Sequence, residues 1–476
     1  MNFQTIPVQV TGPSYQSVSR PLSSQRTINW YPQSLPLAKE TFVLMPFPGL
    51  KPAETGTGFD RGFHTVGAAL YQVVGTRLIY RDGFNTLDRG EIPGTDRCIM
   101  ADDGVNLFIV SSTGVYKNNF NDGITEVTDT NIVGAKSVDF INNQFLYTKD
   151  GFTTVSNVGD GSQANGLNVI GEETDPDPLV RDFVFDEVIY RFGTRSTVAW
   201  YNSGRGNPPI QKLQGRIFQV GLAAIHSVAR TDDAMYWLGD DYRVYRASAG
   251  SKQIVSSEPL SAAFAGFAKV SPLFVEDAIG SYASIGGNSF YILSFPQSNR
   301  TFMLNERLGE LGWSELSSGV HGGIYQGNSF IQFKGLTYVA DATNGSVYTL
   351  DSATYTNNGN VLRRERTTSS VNGDLLGAKG KRVQMSKAKF IMETGVGLIA
   401  GQGDNPRIMV EHSDDGGNTW SNGGWPRVGR LGEFTLQVEY YNLGTFFDRI
   451  FRISTTDPVN YTIYSGTIDL RLAGGQ

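Results

Sequence analysis

Short apolar runs alternate with Gly, Asn and Asp turns along most of this chain. Residues 70–74 form an apolar run, Gly75 follows, and 78–80 form the next. The same unit recurs at 106–110 with 113–116, 145–147 with 152–155, 184–190 with 197–200, 235–238 with 243–245, 289–293 with 301–304, and 336–339 with 346–350. Such runs, rich in aromatic and β-branched residues and bounded by turn formers, predict β-hairpins. Their spacing of roughly 35–55 residues lies near the blade period of β-propellers. A lone hairpin leaves a face and two edges bare, and blades stacked in a ring cover both. The pattern predicts an all-β protein with a propeller of six or seven blades. Uneven spacing predicts insertions at 160–182 and 250–277. Residues 260–268 are the best helical stretch, and a short one.

The two ends of the chain differ from this rhythm. Up to about Asp60, prolines at 13, 21, 32, 36, 46, 48 and 52 interrupt the sequence. Each fixes φ and removes a donor, so the segment reads as an extended arm rather than a helix or a central strand. Its apolar groups include Trp30 and Tyr31, which predict docking on another surface. After Asp351 a polar linker leads to a basic stretch with Arg363, Arg364, Arg366, Lys379, Lys381, Arg382, Lys387 and Lys389. Such a stretch is either a solvated face or a contact for an acidic partner. Strands then return from 388 to 472 and predict a small β-sandwich platform. The division is arm 1–60, propeller 61–355 and C-terminal platform 356–476.

Composition narrows the function. With 40 basic and 46 acidic residues the net charge is −6, unlike a general nucleic-acid coat, which neutralises phosphates. A chain of this sign suits a DNA path that must not hold its cargo. One cysteine, Cys98, excludes an intrachain disulfide and fits a reducing cytoplasm. The first residues lack the pattern of a signal peptide, and no apolar run approaches the ~20 residues of a membrane helix.

No catalytic or metal constellation stands out, and no cofactor is expected. His64, His226, His321 and His412 are widely spaced and form no zinc motif. Cys98 reads as a buried small residue. The acidic pairs 102–103, 232–233 and 240–241 read as turn chemistry, and Gly286-Gly287 lacks the Lys-Ser/Thr of a phosphate loop. Ser413, Asp415, Gly417, Thr419 and Trp420 resemble an Asp-box, a structural hairpin of sialidase-type propellers. A sialidase would need an arginine cluster, a Tyr–Glu pair and an acid. The single box and the missing Arg-Ile-Pro entry speak against one. A glycan-binding or sialidase-like propeller protein is the alternative, and a cellular propeller scaffold a third.

The chain as a whole resembles the packaged-DNA stabilisation, or tail nozzle, family of short-tailed phages of the Salmonella type. The resemblance rests on Asn29-Trp30-Tyr31-Pro32 and Pro46-Phe47-Pro48-Gly49-Leu50-Lys51 in the arm. It continues through Arg61-Gly62 and the hairpin 71–80, then His226-Ser227-Val228-Ala229 and 232–239. It ends with His412-Ser413-Asp414-Asp415-Gly416 and Arg427-Val428-Gly429-Arg430. The segment 160–182 has no counterpart. The resemblance implies a structural homo-hexamer in the virion tail, made in the host cytoplasm. It would sit below the portal and adaptor, retain packaged DNA and extend the ejection channel. It would also dock a needle or plug and tailspikes or fibres. Trp30, Tyr31, Arg363, Arg364, Arg366, Lys379, Lys381 and Arg382 are the candidate partner contacts.

Overall fold

A computed structural model describes residues 2–16, 23–35, 41–119, 123–171, 177–206 and 208–474. Pro21, Pro36 and residues 172–176 of the 160–182 stretch lie outside the described residues. Six four-stranded antiparallel sheets stand alone, and a seventh four-stranded unit, 279–316, is part of a larger sheet. In chain order these seven blades are 60–91, 99–126, 137–170, 179–218, 229–254, 279–316 and 327–351, the last completed by Gly49–Glu54. First strands of neighbouring blades touch at the junctions 1–2, 2–3, 3–4, 5–6 and 6–7, and blades 7 and 1 meet in the same way, while blades 4 and 5 join through Phe192 and Trp237. The expected range of six or seven thus resolves to seven among the described residues.

The local chemistry explains the hairpins. Two-residue turns at Asn142-Asn143, Asp186-Glu187 and Gly286-Gly287 all have positive φ, the mirror-image turn that matches strand twist. Asn, Asp and Gly tolerate that region best. Central strands such as Ala69–Val74 and Met235–Leu238 are buried throughout, because blades cover both their faces. Outer strands such as Thr86–Glu91 are largely exposed.

Apolar side chains weld most seams between blades. Tyr71 and Val73 meet Leu107 and Ile109 between blades 1 and 2. Phe108 meets Phe145 between blades 2 and 3, with ring centroids 4.4 Å apart. Phe192 and Trp237 join blades 4 and 5 at 5.4 Å. Between blades 5 and 6 a helix, Glu258–Val270, inserts Phe264 into the seam.

Of the two stretches predicted as insertions, 160–182 is mostly blade, whereas 250–277 is mostly an inserted helical segment. Asp160–Ile170 is the outer strand of blade 3, paired to Phe152–Asn157, and Leu179–Phe185 is the inner strand of blade 4. Blades 3 and 4 begin at Ser137 and Leu179, so this eleven-residue outer strand fits within an ordinary blade interval. Residues 250–277 hold the outer strand of blade 5 and the thirteen-residue helix, longer than the short helix expected.

The arm docks on its own chain. Gly49–Glu54 pairs with Val347–Asp351 and supplies the outer strand of blade 7. Gln4–Val8 and Phe42–Pro46 pair with Ile463–Leu472 in the sandwich, and Trp30–Ser34 pairs with Phe42–Pro46. Thr27–Ile28 lies between Trp313–Leu316 of blade 6 and Arg364–Thr367 of the sandwich. One nine-stranded sheet therefore runs from the propeller into the sandwich. Pro7, Pro32 and Pro52 lie on edge strands and Pro46 ends its strand, which is where proline is tolerated. The sandwich packs Val383–Met392 and Ile463–Leu472 against Asp448–Thr455 and Met409–Ser413 around Trp30, Phe390, Phe451 and Ile453.

This corrects four of the expected partner contacts. Trp30, Tyr31, Arg364 and Arg366 are all buried within the chain. Trp30 donates its indole N–H to the carbonyl of Tyr461 at 2.7 Å, and Tyr31 packs edge-on to Phe290 of blade 6. Arg366 is enclosed by backbone of the arm, to which it donates. Burial of a guanidinium among carbonyl acceptors is what a basic sequence stretch alone conceals.

Candidate functional site

The most constrained place in the molecule is the joint where arm, propeller and sandwich meet. Asn29 sits at its centre, fully buried and at φ 54°. That left-handed conformation is one Asn tolerates better than most residues. Its Nδ2 donates to the carbonyls of Ser317 in the propeller and Arg363 in the sandwich linker, at 2.8 and 2.7 Å. Its Oδ1 accepts from the amide of Ser317 at 3.0 Å. Beside it, Glu315 receives Arg26 of the arm and Arg300 of blade 6 at 2.8 and 2.7 Å. Burial favours the neutral form of Glu315, and the two guanidinium groups overcome it, leaving its pKa below the ordinary value. The joint ties arm, propeller and sandwich together through these bonds.

The remaining predicted contacts lie nearby but do not converge. Arg363 is partly exposed and bonds Glu365 at 2.6 Å. Lys379, Lys381 and Arg382 are exposed in the turn before Val383–Met392. Arg382 lies over the Phe447 ring at 5.8 Å. Lys387 bonds Glu439 at 3.0 Å and Lys389 bonds Gln437 at 3.1 Å, so both sit among acceptors of their own sheet.

The other singled-out residues take structural positions. Asp415 accepts from the amides of Asn418 and Thr419, both at 2.9 Å, and from the Thr419 hydroxyl at 2.6 Å. The Ser413 and Thr419 side chains lead the causes that hold its carboxyl well below the usual range. Arg452 stacks on Trp420 at 4.1 Å. This Asp-box caps a hairpin of the sandwich, away from the propeller. Burial pushes the Cys98 thiol up to about 12, which keeps it protonated and unreactive at neutral pH. Asp102, Asp103 and Asp241 bind amides of their own turns and Asp241 also the Tyr245 hydroxyl, whereas Asp240 accepts from the distant amide of Gly221 at 2.7 Å.

Sequence reasoning missed the polar lining near the propeller axis. His64 and Asp102, on the inner strands of blades 1 and 2, lie 2.7 Å apart. Arg181 of blade 4 donates to the carbonyl of Ile225 at 2.8 Å. His226 is held well below its ordinary pKa, by burial first and by Arg97 and Arg181 after it. Only the position of each on an innermost strand or its lead-in could have indicated this. Among the described residues, no group of three His, Cys, Asp or Glu side chains is placed to hold a metal ion.

Fold and joint together define an architectural all-β protein: a seven-bladed propeller welded to a β-sandwich by its own N-terminal segment. The chain belongs to the bacteriophage P22 Gp10 family. The β-propeller model of that family matches residues 4–355 and its β-sandwich model residues 369–471. It is therefore a phage structural tail protein and a virion component. No curated protein sequence matches the chain.

Solved structures with a similar course include the extracellular domain of a one-component system from B. thetaiotaomicron, at 9% identity and a TM-score of 0.43. That match covers 82% of this chain and 49% of that one, so the chain spans about half its length. BamB from Moraxella catarrhalis matches at 12% identity and TM-score 0.37, over 73% of this chain and 96% of its own. The computationally designed Ika8 protein matches at 11% identity and TM-score 0.38, over 64% and 99%.

Proposed function

We propose that the chain forms a six-membered ring in the tail of a short-tailed phage, below the portal and adaptor. The ring closes the filled head, retains the packaged DNA and extends the channel through which it leaves. Its rims dock a needle or plug and tailspikes or fibres. The observation that carries this reading is the single sheet running from blade 6 through Thr27–Ile28 into the sandwich. Propeller and sandwich joined in this way form a stiff body without a free hinge, which is what a pressure-bearing conduit needs. The net charge of −6 fits a wall that passes DNA without gripping it. Arg363, Lys379, Lys381 and Arg382 are proposed as contacts to neighbouring subunits or acidic partners, the last three being exposed and Arg363 half-buried.

The glycan-cleaving alternative gains nothing from the Asp-box, which belongs to the sandwich rather than to a blade. Native mass spectrometry of the purified chain and electron microscopy of virions test the proposal together. Six-fold rings located at the tail are expected. A stable monomer that never co-purifies with virions overturns it.

A further inference from the structure

Three arginine side chains, Arg61, Arg364 and Arg366, are among the largest fully buried groups of the described residues. The protein shows twice how it satisfies such a group. Arg61 donates to the carbonyls of Asp96, Ile92, Gly75 and Pro93 at 2.6, 2.7, 2.9 and 3.0 Å. Arg366 donates to the carbonyls of Val10 and Pro13, the Thr27 hydroxyl and the Gln25 amide oxygen. Arg364 differs. It donates once, from Nη2 to the carbonyl of Phe47 at 3.2 Å, while its Nε and Nη1 have no acceptor.

The surroundings supply no counter-charge. Tyr325, Tyr355 and Tyr461 are the groups whose charge Arg364 would feel, and the Tyr355 ring lies 5.4 Å from the guanidinium carbon. The Tyr325 hydroxyl is itself fully buried and without a partner. Burial raises the pKa of all three tyrosines, so none is a phenolate at neutral pH. What surrounds this charge is a set of donors: two guanidinium N–H directions and one phenol O–H. Arg366 meets its burial with neutral acceptors alone, whereas Arg364 lacks both a full set of acceptors and a partner charge, and an orphan buried polar group points to an unseen water or ion. A water accepts from the N–H groups but leaves the charge uncompensated.

We propose that Arg364 and Tyr325 bind a small monatomic anion of the halide class. Its place is structural. Arg364 begins a sandwich strand, Tyr325 leads into blade 7, Phe47 belongs to the arm and Tyr461 to the sandwich. The bound anion therefore neutralises a buried charge that, unlike Arg366, also lacks neutral acceptors, and it ties the joint's three parts together. Because it binds the folded chain alone, its concentration raises stability by mass action.

Bromide is the probe, used with the full chain. Crystals grown in sodium bromide are expected to give an anomalous peak within hydrogen-bond reach of Arg364 Nε and Nη1. In solution, replacing sodium gluconate by sodium bromide at constant ionic strength is expected to raise Tm in proportion to the logarithm of bromide. Arg364→Met is expected to abolish that slope. Should that variant not fold, Tyr325→Phe keeps the arm, charge and packing and is expected to lower the slope at least twofold. A water at the site with no anomalous peak overturns the proposal. So does a peak confined to the surface, or a Tm equal in the two salts.

Discussion

The seam between blades 7 and 1 differs in kind from its neighbours. Elsewhere around the ring, apolar side chains from adjacent blades interlock, as Phe192, Phe218, Trp237 and Tyr245 do between blades 4 and 5. At the closure the contacts are polar. Asp60 accepts from Ser329 and, at 3.0 Å, from Gln72. Arg97 donates to Ser329 at 2.6 Å and faces Asp60 at 3.5 Å. Glu54 pairs with Arg81, and Lys334 reaches the carbonyl of Asp82. This is the seam where chain segments distant in sequence must find one another, residues 49–60 meeting 327–351. Apolar packing gives strength without direction, whereas hydrogen bonds fix register. The closing seam is accordingly specific and comparatively weak, and the strand Gly49–Glu54 within blade 7 provides the latch.

Substitutions should separate the two kinds of seam. Trp237→Ala removes the stacked centre of the seam between blades 4 and 5 and is expected to cost about 3–5 kcal/mol in urea unfolding. A loss below about 1 kcal/mol there would end the claim that apolar seams dominate. Asn29→Ala comes next, at about 2–3 kcal/mol, since it strands the carbonyls of Ser317 and Arg363 and places alanine at positive φ. Asn29→Gly should recover only the backbone part of that loss. Ser329→Ala at the closure is expected to cost about 1–2 kcal/mol. Its sharper signature is local: hydrogen exchange should quicken in 49–54 and 327–351 and stay unchanged in blades 3 and 4. Uniform quickening would place the closure on a par with the other seams.

The smallest effect concerns the Asp415 hairpin. Its carboxyl is lowered in the folded state, so the hairpin's contribution is fully present above the ordinary value of 3.8. It is lost as pH falls through the lower folded value. Amide shifts of Asn418 and Thr419 should therefore stay constant from neutral pH to 3.8 and move only in stronger acid. Movement nearer neutral pH would mean that Ser413 and Thr419 do not hold the carboxylate.

Much of the propeller was legible because each hairpin is local. The turn Ile141-Asn142-Asn143-Gln144 and the run Met235–Leu238 announce themselves within a few residues. The arm was legible only as something irregular. Nothing near Ile28 reveals that it pairs with both Glu315 and Glu365, because that register is set by partners some three hundred residues away. Arg364 and Arg366 misled for a related reason. A basic residue is usually exposed, and what buries these two is a set of arm groups that no local pattern displays. The eleven-residue outer strand of blade 3 looked like an insertion because Asp160–Ile170 is mostly polar and glycine and lacks an apolar run.

The central claim is that the arm makes propeller and sandwich one cooperative body. Urea unfolding followed by two probes tests it most directly. One probe is the fluorine NMR signal of Trp237 in a chain labelled with 5-fluorotryptophan. The other is an amide signal from Val410 or Ile453 in the sandwich core. Superimposable transitions are expected for the intact joint, and separation of the two curves in Asn29→Ala. Separate transitions in the unmodified protein would contradict the account, because the sheet through Thr27–Ile28 would then not couple the two modules.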